Sequence, residues 1–199
     1  MFKDMNLPNK LTILRIMLVP IFVILLNFSF GDIKYLKYIA LAIFIIATIT
    51  DYIDGYISRK YNLVTQFGKI MDPVADKLLI SSGFIMLTAV GIIPALVTVL
   101  IIFRDFFVNG MRMIAINKQD VSADIAGKIK TVFCFLTVIL GILDVSKSGF
   151  LGFLNSSVYI MSVPTLFINI LFSVSIIAVV ISTVITIITY TKKYMKDSI

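Results

Sequence analysis

The chain has 199 residues, 59% of them hydrophobic, and a net charge of +7. So large an apolar share leaves too little polar surface for a soluble domain of this length. There is no histidine and no glutamate, so all 11 acidic residues are aspartate, which excludes Ser-His and His-metal chemistry.

Hydropathy predicts an all-α integral membrane protein, one domain over residues 1–199, with six spans near residues 11–30, 35–57, 74–90, 94–116, 129–143 and 164–190. Each is long enough, or nearly so, to cross a hydrocarbon core. None shows the period-2 alternation of a barrel strand. The first span holds Arg15 and is followed by no small-residue cleavage site, so it is expected to stay uncleaved. Fourteen of the 18 Lys and Arg residues fall on one side of this arrangement and three on the other (Lys34, Lys37 and Lys147), with Arg104 inside the fourth span. That asymmetry places both termini in the cytoplasm. It also accounts for the basic balance without nucleic acid. Lys118 and Lys130 are read as anchors on the positive side. Cys134 lies in an apolar run and is read as a small buried hydrophobe. Residues 149–162 carry no charge and suggest no function.

The second span ends in Asp51-Tyr-Ile-Asp54-Gly55-Tyr-Ile-Ser58-Arg59. Residues three apart share a helix face, so Asp51 and Asp54 point the same way. Asp51 lies roughly 12 Å along the helix from Arg59 at 1.5 Å per residue, which puts it at the cytoplasmic edge of the membrane. Ionisable groups there are costly and are functional candidates by default. A short basic loop leads to Gly68-Lys-Ile-Met-Asp72-Pro-Val-Ala-Asp76-Lys77. Asp72 and Asp76, four apart, again share a face. Consecutive spans run antiparallel, so the four carboxylates are expected to converge. Clustered carboxylates repel and do not stay ionised unaided. Two divalent cations, Mg²⁺ or Mn²⁺, would resolve the repulsion, since all-oxygen ligation favours hard ions. Such a pair polarises a diphosphate and neutralises a leaving group. As a bland alternative the aspartates are helix-end charges paired with Arg59, Lys60, Lys69 and Lys77. A cation transporter would need its acids near mid-membrane on broken helices. An aspartate-rich prenyltransferase fits this carboxylate spacing and span count less well.

The pattern D-x2-D-G-x2-S-R-x8-G-x3-D-x3-D, Asp51 to Asp76, resembles the signature of the CDP-alcohol phosphatidyltransferases. Ser58 departs from it, where the family usually has alanine. The resemblance implies transfer of a phosphatidyl group from CDP-diacylglycerol to an alcohol, with release of CMP. It implies metal ligation by Asp51, Asp54, Asp72 and Asp76, and a general-base role for Asp76 on the acceptor hydroxyl. By the same resemblance Gly55, Arg59, Thr65 and Gly68 lie at the CDP moiety, the glycines permitting close approach of backbone and nucleotide. A homodimer in the bacterial cell membrane is likewise implied.

Leu7-Pro8-Asn9-Lys-Leu11-Thr12-x2-Arg15, the Thr65 to Lys77 run, the Arg104-x7-Arg112 pair and Gly127-Lys128-x-Lys130-Thr131 are similar to the branch whose acceptor is glycerol 3-phosphate. That acceptor is a dianion and needs cations. Arg104 and Arg112 lie about 80° apart round one helix, and Lys128 falls at a helix start, where backbone N–H groups favour phosphate. The three are therefore expected to bind the acceptor phosphate. An ion pair between Arg104 and neighbouring Asp105 is the competing role. Serine or inositol phosphate as acceptor is the nearest rival reading; a neutral acceptor would leave the three cations without a ligand.

Overall fold

A computed structural model describes residues 6–30, 33, 35–61, 65–114, 125–143 and 163–196. Among these residues the chain forms six α-helices. They are α1 (Leu7–Phe30), α2 (Leu36–Lys60), α3 (Gln66–Ala89), α4 (Ala95–Ile114), α5 (Ile125–Leu143) and α6 (Val163–Lys196). Three contain stretches long and apolar enough to cross a membrane, Pro8–Ser29, Leu36–Ser58 and Phe167–Lys192, and Ile129–Leu143 is a shorter apolar helix. In α3 and α4 the apolar run is interrupted by Asp72, Asp76, Lys77, Arg104 and Asp105.

Burial runs opposite to a water-soluble protein. Arg15 and Lys130 are among the most buried side chains, whereas Met17, Phe28, Leu96 and Phe106 are exposed. Apolar outer faces with charges turned inward suit lipid as the surrounding medium.

The chain divides into two compact units, Met1–Met86 and Leu87–Ile199. In the first, α1 packs on α2. On α1 the buried positions are Pro8, Asn9, Thr12, Arg15, Phe22, Leu26 and Ser29; on α2 they are Ala40, Phe44 and Ala47. Both series follow the three-and-four spacing of a single helix face. The Phe22 and Phe44 rings meet at 5.4 Å, and Arg15 reaches Ala47 and Asp51, so the helices run antiparallel. Since lipid is as apolar as leucine, close packing drives the contact, and the small Ala40 and Ala47 let the backbones approach. The stripe is apolar at one end and polar at the other. Its polar end is where α2 presents Asp51.

In the second unit α6 packs against α4 and α5. Its buried series Asn169, Phe172, Ile176, Val179, Thr183, Thr186 and Tyr190 keeps the same spacing over six turns. Thr137 of α5 donates a 2.9 Å hydrogen bond to Ser175 of α6, whose hydroxyl donates to the Phe172 carbonyl. The α3–α4 corner is a tight C-cap. Gly91 sits at φ +76°, the left-handed region that favours glycine. Its N–H bonds the Thr88 carbonyl, and the Ile92 N–H bonds the Leu87 carbonyl. This 6→1 and 5→2 pair is the Schellman arrangement, with Ile92 buried beside it. The Thr88 and Thr98 hydroxyls close the corner at 2.6 Å.

Candidate functional site

The polar end of the first unit is organised by α1. Arg15, fully buried, donates through Nη1 to Asp51 Oδ1 and through Nε to the Ala47 carbonyl at 3.3 Å. The Asp51 side chain itself remains 37% exposed. Thr12, also fully buried, donates to Asp72 Oδ1 at 2.6 Å, with the Pro8 carbonyl at 3.1 Å. One turn of α1 thus grips the first aspartate of each pair, one on α2 and one on α3. Asp76 lies one turn beyond Asp72, with Lys77 Nζ 3.1 Å from its Oδ2.

Thr65 precedes α3 as its N-cap. Its hydroxyl oxygen accepts the Gly68 N–H at 3.0 Å, the first-turn donor that a capping side chain satisfies. The same hydroxyl donates to Asn9 Oδ1 at 2.9 Å. A Cβ on Gly68 would lie 3.3 Å from Asn9 Oδ1, 3.3 Å from Thr65 Oγ1 and 3.5 Å from Asp72 Oδ2. Glycine at 68 therefore answers a close approach by this chain's own α1 and cap, a cause that spacing alone does not reveal. Gly55 is half-buried in α2, its carbonyl accepting from Ser58 at 3.2 Å. The side chains of Asp54 and Arg59 lie outside the described residues.

The donor chemistry around Asp51, Asp72 and Gly68 is all oxygen, which matches hard divalent cations rather than zinc. Among the described residues no three acidic or thiol side chains are grouped closely enough to hold a metal ion; Asp54, one of the four expected ligands, is not among them.

In the second unit Arg104 and Asp105 are buried on α4 and Lys130 on α5. Asp105 Oδ1 accepts from Arg104 Nη1 at 2.8 Å and from Lys130 Nζ at 2.5 Å. Arg104 thus makes the ion pair with its neighbour that competes with a phosphate role, while its Nε is buried with no hydrogen-bond partner among the described residues. The anchoring role expected of Lys130 is corrected: at 1% exposure it is an interior cation held by Asp105. The side chains of Arg112 and Lys128 lie outside the described residues.

From the sequence, Asn9 and Thr12 enter only as part of a branch signature, and Arg15 only there and as a charge within the first span. The signal for a site role was their spacing, three apart on one face of an apolar helix, in line with Phe22 and Leu26.

The CDP-alcohol phosphatidyltransferase family profile matches residues 5–188. A Bacillus subtilis protein named CDP-diacylglycerol–glycerol-3-phosphate 3-phosphatidyltransferase is 46% identical over 136 residues, 63% of this chain and 70% of its own length. A Rickettsia felis protein of the same name is 45% identical over 147 residues, 73% of this chain and 80% of its own. A Mycobacterium tuberculosis protein named probable phosphatidylglycerophosphate synthase is 40% identical over 141 residues, 71% and 68% of the two chains. With nearly its whole length matched, and the Asp51–Asp76 run held as the geometry describes, the chain belongs to the CDP-alcohol phosphatidyltransferase family.

Proposed function

We propose that this protein transfers the phosphatidyl group of CDP-diacylglycerol to glycerol 3-phosphate, giving phosphatidylglycerophosphate and CMP. The observation that carries the reading is the double grip of α1 on the aspartate run, Arg15 on Asp51 and Thr12 on Asp72, in a chain whose relatives are named for this transfer.

Asp51, Asp54, Asp72 and Asp76 would hold two divalent cations, Mg²⁺ or Mn²⁺. Such ions, when bound, neutralise charge on the donor diphosphate and on departing CMP. The remaining work falls to the chain. Asp76 takes the proton of the acceptor hydroxyl. That oxygen bonds to the phosphatidyl phosphorus, and the bond from this phosphorus to the CMP oxygen breaks, CMP leaving with the electron pair. Arg15 and Thr12 fix the orientation of Asp51 and Asp72, as outer partners of ligating carboxylates do. Gly55, Arg59, Thr65 and Gly68 are assigned to the CDP moiety. Arg104, Arg112 and Lys128 are assigned to the acceptor phosphate, whose double charge calls for cations. The protein works as a six-span enzyme of the bacterial cell membrane, both termini cytoplasmic, with its site at the cytoplasmic edge, as a homodimer.

The test is product identification. Purified protein receives CDP-diacylglycerol with glycerol 3-phosphate, serine or inositol phosphate in separate reactions, each with Mg²⁺ and with chelator. Phosphatidylglycerophosphate from the first acceptor alone, lost on chelation, is the expected result. A different preferred acceptor overturns the substrate assignment, and full activity in metal-free buffer overturns the two-cation site.

A further inference from the structure

The Arg104–Asp105–Lys130 group is not a simple ion pair. Neighbours in a helix point about 100° apart, yet Arg104 turns back so that Nη1 meets the Asp105 carboxylate at 2.8 Å. The same oxygen, Asp105 Oδ1, also receives Lys130 Nζ at 2.5 Å. All three residues are buried, at 5%, 2% and 1% exposure. Two cations share one described carboxylate, so the trio carries one positive charge more than its own members neutralise. A buried charged group is ordinarily paired or ligated. Lys130 alone would be balanced by Asp105. The surplus therefore rests with Arg104, and the atom left without a partner among the described residues is Arg104 Nε. A guanidinium offers its donors as a rigid planar fork. Tying it down through Nη1 settles the direction in which Nε points.

We infer that Asp105 is a positioning residue for the acceptor: it holds the Arg104 guanidinium through Nη1 so that Nε donates to an oxygen of the acceptor phosphate, and Lys130 orients Asp105 without touching substrate. This rests on the reading of glycerol 3-phosphate as acceptor. Neither Asp105 nor Lys130 belongs to the cationic set that the sequence assigns to the phosphate. The geometry makes them the frame on which one member of that set is mounted.

The frame differs from a charge-balancing pair in one measurable respect. Asp105→Leu with Lys130→Gln removes one negative and one positive charge, so the surplus of one is unchanged, and leucine leaves no side-chain oxygen to hold the guanidinium. If Asp105 existed only to neutralise Lys130, this double variant would bind acceptor as the wild type does. If Asp105 positions Arg104, the guanidinium loses its tether although the charge is conserved. The experiment measures initial rates in native membranes, where KM does not depend on the amount of folded enzyme. Glycerol 3-phosphate is varied at saturating CDP-diacylglycerol, and the reverse. The double variant is expected to raise KM for glycerol 3-phosphate by about 10-fold or more, the scale of one charge-assisted hydrogen bond. KM for CDP-diacylglycerol should stay within about twofold. Asp105→Glu, which keeps the carboxylate, should hold the acceptor KM within about threefold. An acceptor KM unchanged in the double variant overturns the inference, as does a parallel rise in both KM values. Should that double variant have no activity, Asp105→Ala with Lys130→Met, which conserves the same charge and also removes the carboxylate oxygens, is measured and judged by the same two criteria. Wild-type protein that does not use glycerol 3-phosphate overturns the acceptor reading itself, and does so before any variant is compared.

Discussion

Thr12→Val tests whether the hold of α1 on the aspartates matters to the chemistry. Thr12 is fully buried, and its one hydroxyl proton has two acceptors within reach, Asp72 Oδ1 at 2.6 Å and the Pro8 carbonyl at 3.1 Å. The shorter contact to a charged oxygen takes the proton. The Pro8 carbonyl, four residues back in the same helix, is left as a secondary neighbour. Valine keeps the branched shape and removes the hydroxyl, so the loss is one charge-assisted hydrogen bond, about 1.5–3 kcal/mol. At 1.4 kcal/mol per decade this is roughly 10- to 150-fold. Loss of an outer partner of a ligating carboxylate typically costs about 10- to 100-fold in metal affinity or activity, so two independent arguments give the same range. The assay is the rate of phosphatidylglycerophosphate formation as Mg²⁺ is titrated. Thr12→Val should shift half-activation to Mg²⁺ concentrations about 10- to 100-fold higher. Thr12→Ser, which keeps the donor, should stay within about threefold of wild type. A Mg²⁺ titration for Thr12→Val that superimposes on wild type would refute the reasoning and leave Thr12 as a packing residue of α1.

Asp76→Asn retains a ligating oxygen and loses basicity; kcat should fall by about 10²–10⁴ while CDP-diacylglycerol still binds, as measured by displacement of a labelled nucleotide-lipid. Turnover near the wild-type rate would remove Asp76 as the base. Gly141→Ala should lower thermal stability, because its Cβ would sit 2.5 Å from Leu87 Cδ1 and 3.3 Å from Phe172 Cε2. Overpacking of this kind costs about 1–3 kcal/mol, and an unchanged unfolding temperature in detergent would mean that Leu87 swings clear without strain. Reporter fusions at Met1 and Ile199 should both report cytoplasm, as the 14-to-3 distribution of Lys and Arg requires, whereas an external C-terminus would take one span out of the topology.

Some features of this protein depend only on local chemistry and were legible in the chain itself. An apolar segment in lipid would satisfy its backbone within itself, so six apolar runs predicted six helices, the number found among the described residues. The Asp51/Asp54 and Asp72/Asp76 spacings set shared faces by helix periodicity alone, and the spaced pattern from Asp51 to Asp76 was enough to name the family. Boundaries were less legible. Hydropathy starts the expected third span around residue 74, but hydrogen bonding starts the helix at Gln66 and carries it through Pro73. What only the tertiary structure decided is which groups meet across helices. Thr12 and Asp72 are 60 residues apart in the chain, and Arg15 and Asp51 are 36 apart; no periodicity within one helix encodes such a partner. Lys130 shows the physical reason most plainly. Its charge and its place near a helix start read as a surface anchor, because sequence gives the sign of a charge and not its depth. Packing put it inside, and a buried ammonium must be met by a carboxylate, here Asp105 from a helix 25 residues away.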